Sequence, residues 1–299
     1  MKYLLIISVI TISLVGFLVV KNVKNNPQAP IISQQKEKTD FSSKIEVIFK
    51  GIKRPHGIGF NNGIIYVSSE TDKALYKIID GKSEKFVDLD FAHDMVFEPD
   101  GSIITPVFNE GRVVRVNPNG IIETLHDKQF NGPNGIAYNK FSFVYVSNYN
   151  SGRILTTRDG VNFSEVTAGD LKGPAGIAYD KEKNTIWIAS FLGNTISSYG
   201  LGDNQEASIR RPRTFHYNLE GLIHPESIFV KDSNFSKVLV TAVKNGKGVV
   251  VESNPQGKYE IILETDLPDP IVGYFTNDGY VYLVSPNDAE GRILKAKYR

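Results

Sequence analysis

A six-bladed, all-β propeller is the fold this sequence predicts, on three observations. A P-x-G-I motif leading into an apolar strand recurs at "RPHGIGF" (54–60), "FAHDMVF" (91–97), "GPNGIAY" (132–138), "GPAGIAY" (173–179), "HPESIFV" (224–230) and "DPIVGYF" (269–275). The motif-proline positions 55, 92, 133, 174, 225 and 270 lie 37 to 51 residues apart, a spacing that with strand content fits propeller blades rather than a helical solenoid. Each unit alternates apolar and polar residues with period two and is rich in Val, Ile, Tyr and Phe, and no helical periodicity follows residue 24.

The elements follow in chain order. Residues 3–20, "YLLIISVITISLVGFLVV", form an uncharged run between Lys2 and Lys21. As a helix the run would reach about 27 Å, close to the ~30 Å hydrocarbon core of a bilayer. The following "KNVKNNPQAP" offers no small-x-small cleavage site, so residues 1–24 read as a single transmembrane helix, an uncleaved signal-anchor rather than a cleaved signal. Residues 25–42 are polar and contain proline, which suits a flexible linker. The expected location is the cell membrane, single-pass, with the propeller outside the cytoplasm.

Residues 43–299 hold the propeller. Within a blade, an inner strand such as Gly135–Tyr138 leads to a tight turn, "NNG" (61–63), "EPDG" (98–101) or "NDG" (277–279), whose residues tolerate positive φ. Second strands follow at "IIYVSS" (64–69), "FVYVSN" (143–148), "TIWIAS" (185–190) and "YVYLVS" (280–285), then third strands such as "ALYKI" (74–78) and "RILKA" (292–296). The last unit lacks a fourth strand, and "SKIEVIFKG" (43–51) is placed to supply it. Such a closure leaves no open edge between first and last blades.

Composition narrows the function. The net charge of +1 carries no basic face for nucleic acid. With no cysteine, disulfides, zinc fingers and thiol nucleophiles are excluded. Phosphate loops, dinucleotide-binding glycines, G-x-S-x-G and H-E-x-x-H are also absent. The expected species is a monomer whose partners are a small molecule or a protein at the propeller face, with the membrane engaged through the N-terminal helix.

The residue between motif proline and glycine should face the channel mouth. Across the units it is His56, His93, Asn134, Ala175, Glu226 and Ile271, with Asp94 and Asp269 adjacent. Two imidazoles, an amide and a carboxylate could build a metal or acid–base site, although polar residues at a solvated mouth need no function. His126 and His216 read as packing or surface residues, and Trp187 as core. His224 borders the mouth without a role. Arg210, Arg211 and Arg213 form a small basic cluster that could receive an acidic ligand.

At these motifs the chain resembles the six-bladed NHL-repeat and SMP-30/gluconolactonase-like propellers, which are related to paraoxonases and strictosidine-synthase-like proteins. The resemblance covers residues 43–299. It implies one divalent cation, calcium or zinc, held at the mouth by a blade-one glutamate, the asparagine of P-N-G and the aspartate of P-D-G. Only Asn134 matches. His56 stands at the glutamate position, His93 at that of a substrate-binding asparagine, followed by a matching Asp94, and Ala175 at the aspartate. The lactonase site is therefore incomplete. "RPHGI" also resembles the histidine motif of paraoxonases and streptogramin-lyase-type propellers, which implies proton transfer. Two expectations stand together. One is a binding module at the channel mouth. The other is a metal-assisted hydrolase or lyase, with His56, His93 and Asp94 catalytic and Asn134, Glu226 and His93 as metal ligands.

Overall fold

The computed structural model describes residues 44–127, 130–139, 144–158, 163–167, 170–201 and 213–298. Among these, 24 strands form six four-stranded antiparallel sheets, the blades of one propeller. Strand β1 (Ile45–Phe49) precedes blade one, which is β2 (Pro55–Asn61), β3 (Ile64–Ser69), β4 (Ala74–Ile79) and β5 (Lys82–Asp88). Blade two is β6 (Val96–Phe97), β7 (Ile103–Val107), β8 (Arg112–Val116) and β9 (Ile122–His126), and blade three is β10 (Pro133–Tyr138), β11 (Val144–Asn148), β12 (Arg153–Thr157) and β13 (Ser164–Glu165). Blade four is β14 (Pro174–Asp180), β15 (Thr185–Ser190), β16 (Thr195–Gly200) and β17 (Arg213–Asn218), and blade five is β18 (Ile228–Asp232), β19 (Lys237–Lys244), β20 (Lys247–Ser253) and β21 (Tyr259–Glu264).

Blade six closes the ring. Its inner strands β22 (Val272–Phe275), β23 (Tyr280–Val284) and β24 (Ile293–Lys297) are joined by β1, paired Ile45↔Ala296 through Phe49↔Ile293. The N-terminal strand does complete the last blade. The apolar run 3–20, the linker 25–42, Arg210 and Arg211 lie outside the described residues, as does the side chain of Arg213. Among the described residues no helix is long and apolar enough to cross a membrane.

Apolar side chains of adjacent blades pack in clusters between the sheets. Ile136, Val146 and Ile104 join blades two and three, and Leu239, Ile271 and Leu283 join blades five and six. Trp187 is core, 1% exposed and stacked on Phe215. His126 packs edge-on against Phe163.

The motif glycine has a steric reason. A Cβ on Gly57, Gly135 or Gly176 would collide with the carbonyl oxygen of His93, Ala175 or Glu226 respectively, each at the entry to the next blade. Only glycine allows the blades to approach this closely.

A hydroxyl clasp on the second strand joins the same backbones. Ser68 accepts from Gly57 N–H at 2.8 Å and donates to Ala92 O at 2.6 Å. Ser147 accepts from Gly135 N–H at 2.6 Å and donates to Ala175 O at 2.6 Å. Thr241 repeats this between Ser227 N–H and Ile271 O at 2.9 and 3.0 Å. The equivalent residue in blade four is Ala189, and there Gly176 N–H bonds Glu226 O directly at 2.8 Å.

Candidate functional site

Each inner strand starts at the proline face and runs along the channel, so the residue after the motif proline sits at the mouth. His56, His93, Asn134 and Glu226 line one cavity of about 170 Å³, together with Phe91, Phe108, Tyr149, Phe191 and Pro270. The mouth positions are not solvated as a channel rim would be. His56, His93, Asn134 and Glu226 are 7%, 4%, 4% and 5% exposed. Ala175 and Ile271 are fully buried and do not line this cavity.

The aromatic walls are what exclude water. The His56 and His93 rings lie 4.1 Å apart, His93 stacks on Phe108 at 5.0 Å, and Phe91 stands edge-on to His56 at 5.0 Å. Phe108, Tyr149 and Phe191 each follow directly on the second strand of blades two, three and four. They stand in "VFN", "NYN" and "SFL", and Tyr149 and Phe191 lie just past the second strands read at 143–148 and 185–190, where the sequence gives them no role. On blade one the matching place is Glu70, whose Oε1 is 4.0 Å from His56 Nε2 while its other oxygen holds Arg54 at 2.8 Å.

Burial sets the proton affinities. His56 is pushed down to about 3, first by desolvation and then by the Arg54 charge. His93 is held well below the usual imidazole range by desolvation and by His56, against the pull of Asn134. Glu226 is pushed up to about 8 by desolvation and by the Asp94 and Asp269 charges, against a side-chain hydrogen bond from Asn134. At neutral pH the pocket therefore holds two unprotonated imidazoles, an amide and a protonated carboxyl group. Among the described residues His56 Nδ1 and His93 Nε2 are buried without a hydrogen-bond partner, which leaves each available to a ligand donor.

Asp94 is not part of this pocket. It lines a separate cavity where the inner strands end, and its carboxylate accepts from Met95 N–H at 3.0 Å and Ile136 N–H at 3.4 Å. Successive side chains of an extended segment point to opposite sides, and His93 and Asp94 diverge accordingly.

The metal expectation meets a poor donor set. Among the described residues no group of three or more His, Asp or Glu side chains could hold a metal ion. Of the expected ligands Asn134, Glu226 and His93, only Glu226 could bring charge, and burial keeps it protonated near neutral pH. Ala175 removes the carboxylate that a calcium site would need. These residues do not fit a calcium or zinc centre.

At the rim sits a pair that sequence reasoning left without a role. His224 Nδ1 is 2.5 Å from Asp269 Oδ2, and the His224 ring stacks on Phe191 with centroids 4.2 Å apart. The partners are 45 residues apart in sequence, so no local pattern signals the pair.

With the geometry established, known structures give the frame. A gluconolactonase from Xanthomonas campestris superposes with a TM-score of 0.65 at 12% identity, covering 85% of this chain and 89% of that one. A calcium-binding regucalcin from Agrobacterium tumefaciens gives 0.65 at 11%, covering 84% and 92%. Virginiamycin B lyase from Staphylococcus aureus gives 0.58 at 13%, covering 85% and 99%. This chain shares their fold. No family model matches the sequence, and no curated protein matches it. The kinship with SMP-30/gluconolactonase/regucalcin-like and virginiamycin B lyase propellers is thus one of architecture, which hosts many functions.

Proposed function

We propose that the propeller binds a small, uncharged molecule in the aromatic pocket of the proline face, through hydrogen bonds to Glu226, Asn134 and the two imidazoles. The observation that carries this reading is that four polar side chains of the pocket are buried behind aromatic walls. A buried, neutral carboxyl group offers a donor, and two buried, neutral imidazoles offer orphaned nitrogens. A charged ligand would enter such a site at a large desolvation cost. The cavity of about 170 Å³ lies below the ~300–1,000 Å³ of drug-sized sites. It fits a single ring or one end of a longer molecule.

A second reading has one observation in its favour. Glu226, at about 8, is matched to general-acid work near neutral pH, and protonating a leaving oxygen would serve lactone or ester opening. His56, at about 3, is a weak base for the complementary step, and this ranks binding above turnover. The neighbours named for lactonase and lyase activity support the second reading only through their shared fold. The tether fits either reading: residues 3–20 would hold the propeller at a membrane surface, outside the cytoplasm.

The test is calorimetric titration of residues 43–299 with neutral lactones and phenols, beside Asn134→Leu and Glu226→Gln variants. Saturable binding weakened about 5- to 150-fold in Asn134→Leu is expected, because a buried donor or acceptor left unpaired costs about 1–3 kcal/mol. Turnover that Glu226→Gln abolishes while binding survives would select the acid-catalyst reading. Affinities indifferent to both substitutions, or no saturable binding, would overturn the pocket as the functional site.

A further inference from the structure

Where the inner strands end, the channel opens into a second cavity, of about 710 Å³, within the range of small-molecule sites. Its walls include Met95, Phe97, Tyr138, Tyr179, Phe229 and Tyr274. Phe97 and Tyr274 meet edge-to-face at 6.0 Å, across blades two and six. The ionisable groups that line it fall into two sets. Lys231 is taken by Glu252, Lys181 lies beside Glu182, and Asp180 is taken by Ser233 Oγ at 2.7 and 2.8 Å and by the Glu182 and Lys183 backbone N–H groups. All four sit late on their strands or in the turns beyond, at the outer edge.

Asp94 differs from them. It stands among the inner strands, with no cationic partner among the described residues, held by two backbone N–H groups. Desolvation raises its proton affinity to about 6, so it is charged at neutral pH. A lone carboxylate in a cavity that also has aromatic walls is an arrangement that can recognise ammonium groups, because ring quadrupoles and the carboxylate attract the same charge.

We infer that this second cavity is a binding site for an organic cation, an amine or quaternary ammonium carrying an apolar group, held by Asp94 and the rings of Phe97, Tyr138, Tyr179 and Tyr274. The site is a separate cavity from the pocket on the proline face, and it gives Asp94 a ligand-anchoring role in place of the catalytic one expected from its neighbour His93. The cation replaces solvent around a carboxylate that is otherwise poorly hydrated, while the two backbone donors keep that carboxylate fixed.

Benzyltrimethylammonium is a suitable probe, since its charge does not change with pH, and benzyl alcohol is the uncharged comparison. Titration calorimetry of the propeller should show a saturable ammonium site that depends on Asp94, whereas the alcohol, which the proline-face pocket can take up, should bind independently of Asp94. Asp94→Asn keeps the shape and an acceptor for one of the two backbone donors, and it should weaken binding at least ~10-fold. Tyr274→Leu should weaken it by a few-fold, in line with ~0.5–2 kcal/mol per cation–ring contact. Phe108→Leu, on the opposite face, should leave the affinity unchanged. Alcohol binding that depends on Asp94 as the ammonium's does, an Asp94→Asn protein that binds the ammonium as tightly as the parent, or no saturable ammonium binding at all would each overturn the inference.

Discussion

Glu226 folds into the protein as an acid and unfolds into a carboxylate. Its proton affinity rises from 4.5 to about 8 on burial, so the folded state binds more protons than the unfolded one between those values. The associated stability is fully present below 4.5 and is lost as pH rises through 8. Asp94, raised from 3.8 to about 6, acts in the same sense over its own range. His56 acts in the opposite sense, because its value falls from 6.5 to about 3. Its stability is present above 6.5 and is lost as pH falls through 3, and His93 adds to that loss. Among these four groups the decline from 6.5 to 8 belongs to Glu226 alone. Urea denaturation across pH should therefore give a maximum near 6.5, and Glu226→Gln should flatten the alkaline limb and steepen the rise between 4.5 and 6.5. Parallel pH curves for parent and variant would show that Glu226 is not the buried acid described here.

The clasp hydroxyls are the element-scale counterpart. Ser147 sits on β11, accepts from its own blade and donates to the next. Ser147→Ala would strand Gly135 N–H and Ala175 C=O in a dry interface, at a cost of about 1–3 kcal/mol. Its denaturation midpoint should fall with an unchanged slope, and a loss below ~0.5 kcal/mol would show that water takes over the bonds. Strand content and blade count were legible because both are periodic. "VYVSN" and "LVTAV" announce strands wherever they fold, and six motif copies count blades. The clasps escaped notice because a serine at the end of an apolar strand is also what an exposed strand end looks like. At the site, His56, His93, Asn134 and Glu226 were legible from their repeat position. Phe91 and the stacked Phe191–His224 pair were not, since their meeting depends on how adjacent blades are set, and no single blade encodes that.

At the scale of the whole molecule, ring closure decides whether the site exists. His56 on blade one faces His93 on blade two, and the cavity is completed by Pro270 on the loop leading into blade six, so the pocket spans the seam that β1 closes. Ile45, Ile48 and Phe49 of β1 are half-buried against the clusters of blades five, six and one. Full burial of such side chains is worth ~1.5–3 kcal/mol each, so three half-buried ones contribute roughly 3 kcal/mol, before the ladder bonds to β24. Against a typical total of about 5–15 kcal/mol, that is a large share. The Gly291 backbone packs so tightly on Ile52 that a Cβ there would strike the Ile52 carbonyl oxygen, which anchors the seam just beyond the strand. Deleting residues 44–49 should therefore lower the melting temperature markedly and expose β24 as an unpaired edge, prone to pairing with another copy. Light scattering should show concentration-dependent association in the truncated protein and none in the parent. Adding a peptide of sequence KIEVIF should restore the monomer and its melting temperature, because the missing strand contributes pairing and burial that need not be covalently supplied. A truncated protein that stays monomeric and melts with the parent would show that blade six is stable with three strands and that β1 only decorates it.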